Sequence, residues 1–192
     1  GQALVKMEGK TLQLNDSKSW YGKFDNLMQF ENGKKITYSV VETDNMSGYK
    51  VTYANKVDEE GTADPNYWII TNTKTTSLAG EKSWDDSNNV DGKRPASITV
   101  SLMKTVDGKT TKVEDKVIAP DDKGVWPSWS WNDLPMYDED GSAITYSMYE
   151  TKVKDYDNPT YSGTGTADDP IVITNPHTPE KVDIPVEKVW ND

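Results

Sequence analysis

The sequence repeats itself, and the repeat limits what the chain can fold into. "ITYS" occurs at 36–39 and again at 144–147. "GTAD" occurs at 61–64 and 165–168, "ITN" at 70–72 and 173–175, and "EKSWDD" at 81–86 is echoed by "EKVWND" at 187–192. One module of about 105 residues recurs, out of phase with the chain ends. Residues 77–177 read as a complete module. Residues 1–74 read as a module lacking its first two strands. There "WYGKFDNL" (20–27) answers "WSWNDLP" (129–135), but nothing answers "GKRPASITVSL" (92–102). Residues 178–192 read as a stiff Pro-rich linker followed by the first strand of a further module.

Within a module the apolar period is two. "ASITVSLMK" (96–104) sets Ile98, Val100 and Leu102 against Thr99 and Ser101. "WSWNDLP" puts Trp129 and Trp131 on one face, and "AITYSMYE" (143–150) aligns Ile144, Tyr146 and Met148. "PIVITN" (170–175) is a short β-branched run. Gly, Asn, Asp and Pro fill the breaks, as in "SNNVDGKRP", "VDGK" and "YDEDG". No stretch sustains a 3.6-residue period. Short strands with polar turns every 8–12 residues indicate an all-β fold, here tandem immunoglobulin-like sandwiches.

Composition narrows the function. A net charge of −11 argues against binding nucleic acid or an anionic membrane surface. No apolar run approaches a membrane span, and no signal peptide is visible. The chain opens Gly1-Gln2 without an initiator methionine, as a processed or cloned fragment would. There are no cysteines, so either the compartment is reducing or the fold has another staple.

Alternation also places polar residues on the faces the strands would bury. Lys82 shares a face with Trp84, Glu150 with Met148, and Asn175 with Ile173. In the earlier repeat Glu42 follows Ile36, Tyr38 and Val40, and Asn72 follows Trp68 and Ile70. Lys188 repeats the position of Lys82. Taken singly, each is a strand-end residue whose tip escapes to solvent, or part of a buried ion pair. The recurrence of the whole set favours a shared chemistry.

The segments "GEKSWDDSNNVDGKRPASITVSL", "WNDLPMYDEDGSAITYSMYE" and "PIVITN" resemble the B-type repeat of Gram-positive collagen adhesins, the Cna B-type domain. That resemblance implies a stalk module of a surface adhesin or pilus, extracellular and anchored to the bacterial cell wall. It also implies a spontaneous isopeptide bond, with Lys82 as nucleophile, Asn175 as electrophile and Glu150 as the assisting acid. Glu42 and Asn72 match the acid and asparagine of the earlier repeat, and Lys188 matches a lysine without its partners. The residue types suit the chemistry. Burial beside aromatic rings lowers a lysine's pKa and raises a glutamate's, which favours a neutral pair. The reaction runs once per domain, so no turnover enzyme and no cofactor are expected. An amide cannot be reduced, which gives the absence of cysteine a reason.

Other candidates carry less. Trp126, Trp129 and Trp131 suggest a sugar-stacking platform, though core packing is simpler. The acidic turns at 84–89, 137–142 and 166–169 suggest Ca²⁺, but none fits an EF-hand loop. His177, the only histidine, reads as a linker residue. "GTGTAD" (163–168) lacks the strand–helix setting of a nucleotide loop. The expected partners are adjacent modules of the same protein and, through the Lys188 strand, a head-to-tail neighbour. The alternative function is a module that binds a host matrix protein or glycan. A hydrolase is disfavoured, because no catalytic pair stands out beyond the crosslinking set.

Overall fold

The computed structural model describes residues 7, 9–44 and 46–191. Residues 1–6, 8 and 45, within the expected first module, and Asp192, in the expected last strand, lie outside them. Two compact units form: Gly1–Val41 with Asn55–Trp68, and Glu42–Ala54 with Ile69–Asp192. This division does not follow the sequence repeat.

The first unit has a short 3-10 turn at Asp16–Lys18 and a small hairpin of β1 (Phe30–Glu31) and β2 (Lys34–Lys35). Asn32 and Gly33 join its strands with φ of 48° and 75°. Positive φ at both central residues matches the twist of the flanking strands, and Asn-Gly supplies it at least cost.

Longer strands follow: β3 (Tyr49–Val57), β4 (Ala63–Asp85), β5 (Ile98–Val106), β6 (Lys109–Ile118) and β7 (Trp129–Pro135). The chain continues through β8 (Thr145–Glu150), β9 (Thr160–Ser162) and β10 (Ile171–Pro176). One sheet runs β3-β4-β10-β9, with β7 also paired to β4. The other runs β6-β5-β8. In the second unit the inner faces of these sheets meet. Leu78, Trp129, Trp131 and Ile173 from one pack with Ile98, Val100, Leu102, Ile118 and Met148 from the other. The fold is thus the all-β sandwich that the period-two patterns imply.

Trp129 and Trp131 are 7% and 4% exposed, so they are core residues with no accessible ring face for a sugar. Trp126 is partly buried, with its ring centroid 5.3 Å from that of Trp84. The acidic turns have structural work of their own. Asp138 Oδ1 accepts the N–H groups of Asp140 and Ser142 at 3.1 and 2.8 Å. Asp169 Oδ2 accepts that of Thr164 at 2.9 Å. Such side chains stand in for a strand partner where the chain reverses.

His177 is more than a linker residue. Its Nδ1 lies 2.7 Å from the carbonyl oxygen of Asp155, and its Nε2 lies 3.0 Å from Asp91 Oδ2. Both partners only accept, so both ring nitrogens donate at once only in the imidazolium. The Glu180 N–H donates to the same Asp91 oxygen at 2.9 Å, which fastens the start of the following segment. The Asp91 carboxylate raises the His177 pKa above its ordinary value. A raised folded pKa gives stability that is complete below the unfolded value, about 6.5, and lost as pH rises through the folded one. An NMR titration of the His177 ring should therefore midpoint above that of a free histidine. The loss of stability over the same window should vanish in His177→Gln. A ring that titrates at the free value would refute the clamp.

Candidate crosslinking site

β4 and β10 lie side by side and parallel, with Ile173 opposite Lys82 and Asn175 opposite Trp84. Lys82 and Asn175 therefore sit on neighbouring strands of one sheet. Glu150 ends β8 in the facing sheet, paired with Val100 of β5. Alternation turns all three toward the space between the sheets. Glu150 is 1% exposed and Asn175 is fully buried, while Lys82 is half-buried.

The Lys82 ammonium donates to the carbonyl of Ile173 at 3.1 Å and to that of Ser83. It lies 3.8 Å from the ring centroid of Trp84. Neither oxygen of the Glu150 carboxyl and neither polar atom of the Asn175 carboxamide has a hydrogen-bond partner. A buried polar group left unpaired costs about 1–3 kcal/mol. Four such atoms in one pocket demand a reason other than stability.

The electrostatics of the pocket favour neutral groups. Burial brings the Lys82 pKa down to about 8, against the pull of the Glu150 charge. Burial pushes the Glu150 carboxyl up. The Asn175 amide and the Lys82 charge oppose that shift, but the amide's geometry falls short of a hydrogen bond. A pair with both shifts holds one proton between its members near neutral pH.

The earlier repeat contains a related pair. Asn72 Nδ2 donates to Glu42 Oε1 at 3.1 Å, and Glu42 Oε2 is buried without a partner. Glu42 is half-buried and Asn72 exposed. Lys188 joins neither pair: its ammonium lies 3.5 Å from the ring centroid of Trp190. Residues 178–191 form no strand, and Val186 and Trp190 are 89% and 73% exposed. Among the described residues nothing pairs with the strand expected there.

Two groups of residues escaped the sequence reading. The N–H of Glu150 donates to the Tyr161 hydroxyl at 3.0 Å, and that of Glu42 to the Tyr53 hydroxyl at 2.9 Å. The acid–tyrosine spacing is 11 residues in both repeats, a signal that was there to be read. Behind Trp84, Asp86 is 2% exposed and accepts two 2.7 Å bonds from Arg94 and one of 2.8 Å from Tyr156. Arg94 is the only arginine in a chain otherwise served by lysine. A bidentate grip on a buried carboxylate is what lysine cannot provide.

Known proteins resemble the chain along most of its length. A family model described as the Cna protein B-type domain matches residues 2–73 and 78–176. A collagen adhesin of Staphylococcus aureus is 35% identical over 190 residues, 97% of this chain and 14% of that protein. A crystal structure of a single B repeat unit of the S. aureus collagen binding surface protein is 30% identical. The match covers 88% of this chain and 81% of that one, with a TM-score of 0.42. A two-repeat crystal structure from the same protein is 35% identical, with coverage of 90% and 41% and a TM-score of 0.41. With its repeat, its sandwich and the family model matched along most of its length, the chain belongs to the Cna protein B-type domain family.

Proposed function

We propose that the chain is a stalk segment of a cell-wall-anchored bacterial surface adhesin or pilin, made of modules 1–74 and 77–177 with a further module begun after 178. In this reading an amide between Lys82 and Asn175, formed with the help of Glu150, staples the second module. The observation that carries it is the buried, unpaired carboxyl and carboxamide beside a lysine of lowered pKa.

The neutral Lys82 amine attacks Cγ of Asn175. The protonated Glu150 carboxyl hydrogen-bonds the carboxamide oxygen as negative charge develops there. It then relays a proton to the departing nitrogen. One C–N bond forms, one breaks, and ammonia leaves. The fold supplies the encounter by holding amine and amide in one pocket. Intact-mass spectrometry tests the reading. The purified chain should be lighter than its sequence by one ammonia, and Lys82→Ala should not. A wild-type chain at its full sequence mass would sink the reading.

The repeat extends the reading to Lys188, Glu42 and Asn72. "VEKVW" corresponds to the Lys82 strand, and Ile70-Thr71-Asn72 to Ile173-Thr174-Asn175. The matching register sets Lys188 opposite Ile70. Between copies of the 192-residue chain this gives a head-to-tail contact that repeats into a filament. Denaturing gels of the concentrated chain are expected to show covalent ladders that Lys188→Ala abolishes. Monomer at every concentration would dispose of the idea.

A further inference from the structure

We infer that Tyr161 is a positioning residue for amide formation at Lys82 and Asn175, acting through the backbone of Glu150. The inference rests on the crosslinking reading above. β8 is an outer strand of its sheet. The N–H of Thr151 donates inward to Thr99 of β5 at 2.9 Å. In an antiparallel ladder successive residues face opposite ways, so the N–H of Glu150 points off the open edge. The hydroxyl of Tyr161 receives it there.

Tyr161 belongs to β9, in the opposite sheet, and stands directly across from Ile173 of β10. Ile173 is the residue whose carbonyl holds the Lys82 ammonium, and it lies two positions before Asn175. A single side chain thus ties the strand that carries the acid to β9, the neighbour paired with the strand that carries the electrophile. It fixes the gap between the sheets where the three groups must meet. Tyr53 makes the same bond to Glu42 in the earlier repeat. There it forms beside an acid–asparagine pair that no lysine joins among the described residues, so the arrangement does not depend on the amine. Tyr161 is 42% exposed, and Phe in its place would keep the ring and lose only the hydroxyl.

The test is the rate of ammonia loss in chains made by cell-free synthesis, quenched in acid at intervals and weighed intact. Tyr161→Phe should react between about tenfold and a hundredfold more slowly than wild type, the scale of a small misplacement of reacting groups. The acidic limb of its pH–rate profile should move to lower pH, because a Glu150 freed at its strand end is better hydrated. The same substitution in a Lys82→Ala background measures its effect on folding alone. A wild-type rate in Tyr161→Phe overturns the inference. So does a slow rate with an unchanged pH profile that lost folded population explains in full. A wild-type chain that never loses ammonia defeats the crosslinking reading itself.

Discussion

Glu150→Gln is expected to leave the chain at its full sequence mass and to remove the stability of about 4–5 kcal/mol that the proposed amide would give the sandwich. Gln keeps the shape of the side chain and can still donate a hydrogen bond, but it cannot relay a proton. The size of the effect comes from the loop that the amide would close, which runs from Lys82 to Asn175 and takes in most of the second unit. A crosslink of that span withdraws closure entropy from the unfolded chain, as a long-range disulfide does. For a domain of about 100 residues, the melting temperature should fall by roughly 20–30 °C. Calorimetry beside intact-mass spectrometry checks both. An ammonia-free mass in Glu150→Gln would remove the carboxyl from the reaction. A melting point equal to wild type would remove the staple from the stability argument.

Asp86→Ala should cost about 3 kcal/mol, the lower end of the range for breaking a buried ion pair. The low end applies because the Arg94 side chain stays 24% exposed and recovers some hydration. Arg94, the Tyr156 hydroxyl and the Asn89 N–H all lose an acceptor. The Arg94 grip holds the Asp86 carboxyl far below the usual carboxylate range, and burial, helped by the hydrogen bond to Asp86, pushes the Tyr156 phenol up to about 12. A depressed folded pKa gives stability that is complete above the unfolded value, about 3.9, and lost only as pH falls through the folded one. The difference between Asp86→Ala and its parent should therefore hold from neutral pH down to about pH 4 and shrink below it. Urea unfolding in a Glu150→Gln background measures it without the staple. Adding Arg94→Met should recover part of the loss. A cost below about 1 kcal/mol would mean that the pair adds little.

The strands with one apolar face were legible in the sequence. Trp129 and Trp131, and Ile98, Val100 and Leu102, are buried as their spacing requires, although β7 runs on past its alternation: a register shift near Asp133, whose φ is 56°, turns Leu134 inward out of phase. β6 was not legible. It is an outer strand with exposed Val113 and Val117 and only Ile118 buried, so its apolar residues share no face to announce it. Alternation and the repeat put Lys82, Glu150 and Asn175 on faces their strands would bury, and the family resemblance implied that the three meet. Asp86–Arg94 and His177–Asp91 escaped because each joins residues on irregular segments, where no period says which way a side chain points. The Tyr161 contact escaped for a different reason. It joins a side chain to a backbone N–H, and a pattern of side-chain types alone does not reveal that.

The parallel pairing of β4 and β10 has a mechanical consequence. Tension applied across the paired segments would reach β4 from the N-terminal side of Gly80 and leave β10 at Pro176. Two parallel neighbours drawn apart from those ends slide along each other. The whole register from Ile171–Gly80 to Pro176–Asp85 then resists in shear, where a peeled edge would yield one rung at a time. An amide at Lys82 and Asn175 lies inside that register and spans the same two strands. Load would pass from one strand to the other within a few residues. The chain folded between them, with its core and its turns, would feel none of it and would pay out no slack.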